Sequence, residues 1–249
     1  MAVLRPVIEK GRRRLYDAIS DQTQEKGIDL PRFYNNPSYF TRNNRGETIA
    51  LHGSHPSLVH WPLTKYKGGT SLRHQLTRLS ESVDALARRA GIQWVQPDHW
   101  HSTVFSAVHS SDPIVISQAS TDISQIVRAE VQKTTPYVLS FTRIIVTEDG
   151  GVLAVGYAHN HQLDSLRARL LKAFPDGAGS DMVHVTLGHL VQPLDRHITS
   201  ELNNFTRMFR DDRTLLGQIA VDFLTYAMYQ GPFLQMTIEK LFTFPLGSH

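Results

Sequence analysis

The 249-residue sequence contains no cysteine, which excludes disulfide bonds, zinc–thiolate sites and thiol nucleophiles. No apolar run approaches the ~18 residues that a membrane-spanning helix needs, and no signal-peptide pattern is visible at its start. The Gly-x-Ser-x-Gly segment of one large class of serine hydrolases is also missing. These absences predict a cytoplasmic protein without membrane contact.

The sequence also lacks a large excess of positive over negative charge. The formal net charge is +3, from 26 Lys and Arg against 23 Asp and Glu, which is only weak evidence for a polyanionic partner. Part of this excess lies in Arg5, Lys10 and 12–14, which we interpret as a solvated helix face rather than a nucleic-acid-binding arm. Hydrophobic residues make up 41% of the chain, enough for one large domain or one domain with an extension.

Apolar periodicity predicts an α+β chain. Helices are expected over 1–20, 72–90, 120–134, 161–174 and 195–209, and residues 27–47 are expected to be irregular. Strands are expected over 48–51, 58–63, 99–108, 137–147, 152–159, 182–191, 218–229 and 233–244. The Glu148-Asp149-Gly150-Gly151 turn predicts that strands 137–147 and 152–159 form a hairpin. The order of these elements predicts two similar halves.

One short motif occurs once in each half. His101-Ser102-Thr103-Val104 and His184-Val185-Thr186-Leu187 both read His-x-Thr followed by an apolar residue, 83 residues apart. On a strand, residues two apart share a face, so each motif presents an imidazole beside a hydroxyl. Two such pairs facing each other suit a phosphodiester, with the imidazoles transferring protons and the hydroxyls binding phosphate oxygens.

With these two motifs, residues 57–245 resemble the 2H phosphoesterases, which include the 2′-5′ RNA ligase-like proteins and the cyclic phosphodiesterases. The resemblance implies a bilobed fold in which two similar halves of antiparallel sheet, with flanking helices, enclose a central cleft. It also implies metal-independent and cofactor-free hydrolysis of a 2′,3′-cyclic phosphate or a related RNA-type phosphodiester. The implied partner is an RNA end or a small nucleotide, and the implied state is a monomer.

The resemblance also assigns roles to residues. His101 and His184 share the duties of base and acid, with the assignment left open, and Thr103 and Thr186 bind phosphate oxygens. Ser102 departs from the family pattern, in which the middle residue is usually apolar. The chain divides into an N-terminal extension, 1–56, that packs on the core, and a 2H phosphoesterase-like domain, 57–249. Part of the extension is a hypothetical lid over the cleft.

Four further residues are candidates for substrate binding. His99 and Phe105 share the predicted face of His101 if strand 99–108 is regular. Arg143 interrupts an apolar strand and Tyr157 lies on the opposing hairpin strand, so each offers a group for phosphate or base. The alternative for each of these residues is a structural role in the core or at the strand ends.

Two other functions stay open. The first is an RNA- or nucleotide-binding module on the same fold with little or no catalysis, which the sequence pI of about 9.2 allows. The second is a histidine-rich metallohydrolase, suggested by the pairs His52 and His55, and His159 and His161. These pairs lack matching carboxylate spacing, so we expect surface histidines and no metal site.

Overall fold

The computed structural model describes residues 4–26, 28, 40–42, 45, 48–50, 52–106, 113–191, 196–208, 215–232 and 237–247. Within these ranges, no helix is long and apolar enough to cross a membrane. Most of the segment 27–47, which we predicted to be irregular, lies outside the described residues, but its residues 40–42 form a strand, so the prediction is wrong there. Residues 107 and 108 of the predicted strand 99–108 also lie outside the described residues.

The described residues form six α-helices. They are Leu4–Lys26 (α1), Gly69–Ser82 (α2), Asp84–Ala90 (α3), Pro113–Gln132 (α4), Gln162–Ala173 (α5) and Arg196–Arg207 (α6). The single helix predicted over 72–90 is thus two helices. Val83 separates them because its backbone leaves the helical region, at φ −110° and ψ 12°, and Gly91 ends α3 in the left-handed conformation.

Twelve strands lie in the same ranges. They are Phe40–Arg42 (β1), Thr48–Ala50 (β2), His52–His60 (β3), Ile92–Trp94 (β4), Ser102–Ser106 (β5), Tyr137–Val146 (β6), Gly151–Ala158 (β7), Ala178–Gly179 (β8), Val183–Leu190 (β9), Gly217–Val221 (β10), Phe223–Pro232 (β11) and Thr237–Pro245 (β12). The predicted hairpin is confirmed as β6 and β7. The predicted strand 218–229 is wrong, since β10 and β11 belong to different sheets.

Two five-stranded antiparallel sheets carry one motif each. The motif-one sheet has the order β12-β11-β3-β5-β8 and contains Thr103 on β5, whereas the motif-two sheet has the order β10-β6-β7-β9-β4 and contains His184 and Thr186 on β9. The motif strands β5 and β9 approach each other between the sheets. The predicted α+β class and two-lobed arrangement are confirmed.

The largest hydrophobic core joins the sheets to their helices. Leu72, Leu76 and Leu79 recur at three- and four-residue steps on α2, and all three are buried in this core. Leu163, Leu166 and Leu170 do the same on α5. Burial of each such leucine contributes about 1.5–3 kcal/mol of hydrophobic free energy. Helices α2 and α5 therefore cover the outer surfaces of the sheets, and the site lies on the opposite surfaces.

The predicted division of the chain at residue 56 stays a prediction. Strand β3 is continuous across that point, from His52 to His60. Helix α1, which belongs to the predicted extension, packs against β6 and β7 of the motif-two sheet.

Two β-bulges decide which side chains face the space between the sheets. In β5, Val59 pairs with Thr103 but Leu58 pairs with Phe105, so Val104 is an extra residue. In β9, Leu153 pairs with Thr186 but Val152 pairs with Gly188, so Leu187 is the extra residue. A bulge re-aims the side chains that follow it, so alternation along each motif strand is reset directly after the threonine.

Candidate active site

One cavity of about 380 Å³ lies between the two sheets, and side chains of both motifs line it. His101 and Thr103 line it from the motif-one sheet, and His184 and Thr186 line it from the motif-two sheet. The structure thus brings together two His-x-Thr pairs that lie 83 positions apart in the sequence.

Burial along β9 shows why the two motif residues share this face. His184 and Thr186 are partly exposed, whereas Val183, Val185 and Leu187 are fully buried in the core. The same alternation places Thr103 in the cavity while Ser102 and Val104 are buried. The apolar residue after each threonine anchors its strand, and the polar pair remains accessible from the cavity.

His101 is held through its own backbone turn. Its Nδ1 lies 2.8 Å from the carbonyl oxygen of His99, so this nitrogen carries the proton in the neutral ring and donates it there. The hydrogen bond leaves Nε2 as the proton-transfer atom. The ring of Tyr229 packs against the imidazole with centroids 4.8 Å apart and further restricts its orientation.

His184 lies in a more apolar setting. Its Nδ1 is buried without a hydrogen-bond partner among the described residues. Burial, together with the positive charges of His101 and Arg167, lowers the pKa of His184 to about 4. The His184 imidazole is therefore neutral near pH 7 and available as a proton acceptor.

Arg167 on α5 connects motif one to the segment that precedes motif two. Its guanidinium donates to the main-chain oxygens of Thr103 (3.1 Å), Val104 (3.1 Å) and Met182 (2.8 Å). It is buried, and burial together with the charge of Arg12 lowers its pKa to about 10, which leaves it cationic at neutral pH. One side chain thus fixes the backbone at the motif-one threonine and beside the start of β9.

His60 supports motif one from the adjacent strand. Its Nδ1 donates to the Ser102 carbonyl at 3.0 Å, and its Nε2 accepts from the Tyr137 hydroxyl at 2.8 Å. Burial lowers the pKa of His60 to about 3, so it stays neutral. Ser102, which departs from the family pattern, faces this buried side with its hydroxyl lacking a partner among the described residues.

Of His99 and Phe105, which were predicted to share a face and bind substrate, only His99 lines the cavity. His99 does line the cavity, but from the 3₁₀ turn Pro97–His99, because β5 begins only at Ser102. The expectation that Phe105 shares the face of His101 is wrong. The bulge at Val104 turns Phe105 into the core, where it is 1% exposed, and brings Ser106 to the cavity in its place.

Neither residue of the second pair, Arg143 and Tyr157, lines the cavity. Arg143 on β6 is buried and forms an ion pair with Asp17 of α1, at 2.8 Å. Tyr157 on β7 is partly exposed and stacks on His159, with ring centroids 5.9 Å apart. The sequence predicted substrate binding or a structural role for Arg143, and it carried no sign that α1 would pair with this residue.

Three titratable residues that line the cavity were not predicted from the sequence. His189 and Asp149 both line the cavity and interact electrostatically: burial lowers the pKa of His189, and Asp149 opposes that shift. Tyr229 lines it too, and burial raises the pKa of its phenol while the neighbouring Thr103 side chain opposes that rise. The sequence pattern did not single out His189, because its direction depends on the bulge in β9.

No protein-family model and no curated protein matches this sequence, but solved structures resemble its fold. LigT of E. coli complexed with ATP superposes with a TM-score of 0.53 at 10% identity, over 80% of this chain and 100% of that one. TT0787 of Thermus thermophilus gives 0.54 at 14% identity, over 78% and 100%. The fold is that of the 2H phosphoesterases.

The 2H phosphoesterase fold also occurs with a longer chain among these matches. The conserved protein ATU0111 of Agrobacterium tumefaciens superposes with a TM-score of 0.52 at 13% identity, over 89% of this chain and 97% of that one. LigT has been crystallised with phosphate and with NADP+ as well as with ATP. At these identities the likeness concerns the fold alone, and the chemistry has to be argued from this chain's own residues.

A metal site was the basis of one alternative function, the histidine-rich metallohydrolase. Across the described part of the chain, no group of three or more His, Cys, Asp or Glu side chains is placed to hold a metal ion. His159, of one predicted surface pair, contacts the Ser140 hydroxyl and the Tyr157 ring instead. The side chains of His52 and His55 lie outside the described residues.

Proposed function

We propose that this protein is a metal-independent phosphodiesterase that hydrolyses a 2′,3′-cyclic phosphate or a related RNA-type or nucleotide phosphodiester. One observation carries the proposal: the two His-x-Thr pairs, each on its own sheet, open into one cavity. In-line displacement at phosphorus needs one proton-transfer group on each side of the phosphate, and opposed sheets supply that geometry.

The reaction divides between the two histidines according to their surroundings. His184, with its pKa lowered to about 4, is neutral and takes a proton from the attacking water. The water oxygen bonds to phosphorus as one ribose P–O bond breaks. The Nε2 of protonated His101 gives its proton to the leaving ribose oxygen, while Nδ1 keeps its bond to the His99 carbonyl.

The threonines bind the charge that the reaction develops. Thr103 and Thr186 are partly exposed to the cavity, and their hydroxyls donate to the two non-bridging phosphate oxygens. Arg167 adds a positive charge close to β5 and to the start of β9, although its hydrogen bonds go to main-chain oxygens rather than to the cavity. Nucleotides and phosphate held by LigT on the same fold support a phosphate-bearing substrate.

The test is hydrolysis of the four nucleoside 2′,3′-cyclic monophosphates with excess EDTA present. We expect turnover in the wild type, a loss of at least about 10³-fold in His101→Ala and His184→Ala, and unchanged turnover in the control His197→Ala, whose side chain is exposed. Product analysis then shows which ribose oxygen leaves. Turnover that either motif variant retains, or that EDTA abolishes, contradicts the proposal.

A second function is favoured by one observation. The pKa of about 4 makes His184 a weak base in the free protein, which suits a nucleotide-binding module with little or no catalysis. Calorimetric binding of a nucleotide 2′,3′-cyclic phosphate that survives loss of both histidines, without turnover of any phosphodiester, identifies that alternative. The cytoplasmic location and monomeric state stay predictions.

A further inference from the structure

Helix α1 lies on the cleft-facing surface of the motif-two sheet. Arg143, Val155 and His184 are directly paired across β6, β7 and β9, so their side chains share one face. Arg143 forms its ion pair with Asp17 of α1, at 2.8 Å. The N-terminal helix therefore sits on the same side of the sheet as the motif histidine.

A buried apolar cluster fixes α1 in this place. Tyr16, which is 2% exposed, packs with Ile145, Leu153 and Val155 on that face. Met182 packs against the same cluster, and both Leu153 and Met182 also line the cavity. The wall of the cavity on this side thus rests directly on α1.

Hydrogen bonds hold the helix along its length. The Tyr16 hydroxyl donates to the Gly156 carbonyl at 2.6 Å and accepts from the Val183 amide at 3.1 Å, next to His184. Towards the start of the helix, Arg12 forms an ion pair with Asp164. Towards its end, the Thr23 hydroxyl donates to the Val146 carbonyl at 3.0 Å.

This arrangement limits the surface that a substrate can use. The cleft face of β6 and β7 is covered by the chain itself, and Arg143, the cation on that face, is neutralised by Asp17. A single-stranded polynucleotide requires an extended, positively charged groove. Among the described residues, the cavity of about 380 Å³ remains open beside α1, and this volume is near the lower end of the roughly 300–1,000 Å³ typical of small-molecule sites.

We propose that α1 is a fixed specificity element that restricts the site to single nucleotides and excludes the ends of RNA chains. This inference rests on the proposed function and names its substrate class. It gives the N-terminal extension a role in the wall of the cleft rather than as a lid that opens and closes.

The test compares uridine 2′,3′-cyclic phosphate with a pentaribonucleotide that ends in the same cyclic phosphate. For the wild type we expect kcat/KM to be at least about tenfold lower on the pentanucleotide, since α1 occupies its path. Asp17→Arg places a like charge beside Arg143 and weakens the docking of α1, so the pentanucleotide-to-mononucleotide ratio should rise about tenfold or more. The charge-reversed double variant, Asp17→Arg with Arg143→Asp, should return the ratio towards the wild-type value.

Circular dichroism and thermal unfolding establish that each variant is folded, and Asp17→Asn replaces Asp17→Arg if the latter does not fold. The inference is overturned if the wild type hydrolyses both substrates at similar rates, or if a folded Asp17 variant leaves the ratio unchanged. If neither substrate is hydrolysed, the proposed function fails separately. Calorimetric titration with uridine 3′-monophosphate and with a 3′-phosphorylated pentaribonucleotide then tests exclusion by α1 through binding alone.

Discussion

Ser106 and His189 occupy equivalent positions in the two halves of the molecule. Each lies three residues after the threonine of its motif, and each lines the cavity because a bulge directly follows that threonine. In the first half the position carries a hydroxyl, which is hydrogen-bonded to Ser57 at 2.7 Å. In the second half it carries an imidazole beside Asp149. The two halves therefore present different polar groups to the cavity although the backbone repeats.

Replacing His189 with alanine should weaken substrate binding more than it slows the chemical step. Its imidazole contacts the cavity but belongs to neither His-x-Thr pair, so we expect KM to rise about tenfold and kcat to fall only a few-fold. Steady-state kinetics on a nucleoside 2′,3′-cyclic monophosphate measures both constants. Ser106→Ala is the matched control at the equivalent position and should change KM less, because only a hydroxyl is lost. A fall in kcat at constant KM would assign His189 to the chemical step instead.

Replacing Arg167 should change both stability and the titration of His184. Arg167→Met leaves the main-chain oxygens of Thr103, Val104 and Met182 without their buried donor, and each unsatisfied group costs about 1–3 kcal/mol. The lost cation should also raise the pKa of His184, since Arg167 lowers it. Arg167→Lys keeps the charge but not the fork of donors, so it should lose stability and leave that pKa low. Urea unfolding and NMR titration separate the two effects, and an unchanged His184 pKa in Arg167→Met would contradict the electrostatic part.

The sequence predicted the faces of the two motifs correctly but not the direction of the residues after them. Period-two alternation placed His184 and Thr186 together, and the structure agrees because β9 is regular up to Thr186. The same rule put Phe105 in the cleft, and it failed there because the extra residue Val104 has no mark in the sequence. A bulge depends on pairing with a neighbouring strand, and local pattern carries little information about such long-range contacts.

The position of the N-terminal helix on the sheet is a second feature that the sequence pattern could not predict. Its apolar positions predicted a helix over 1–20, and the structure has one over Leu4–Lys26. Its docking surface could not be derived, because it depends on Tyr16 reaching Gly156 and Val183, which lie about 140 and 167 positions further along the chain. Arg143 was a candidate from the sequence because it interrupts an apolar strand, but only the fold places Asp17 beside it.

His184 should titrate well below the ordinary value for histidine, near 6.5. Burial, His101 and Arg167 lower its pKa to about 4, so its ring should remain neutral as the pH falls to about 5. NMR titration of the imidazole signals, assigned with the His184→Ala variant, measures this directly. Bound inorganic phosphate should raise the pKa because an anion stabilises the imidazolium. A value near 6.5 in the free protein would show that burial, His101 and Arg167 do not lower this pKa, and would leave open which histidine is the base.

His60 should make the protein sensitive to acid. Its folded-state pKa is lowered to about 3 by burial, whereas in the unfolded chain it is about 6.5. As the pH falls through this range, the unfolded state takes up the proton first, so the stability present above about pH 6.5 is lost by up to ~1.4 kcal/mol per pH unit from this group. His60→Gln should be less stable than the wild type at pH 7.5, because the contacts with the Ser102 carbonyl and the Tyr137 hydroxyl are disturbed. It should nevertheless show a shallower decline between pH 6.5 and 4. Urea unfolding at several pH values measures both curves, and parallel declines would show that His60 is not the group that takes up the proton.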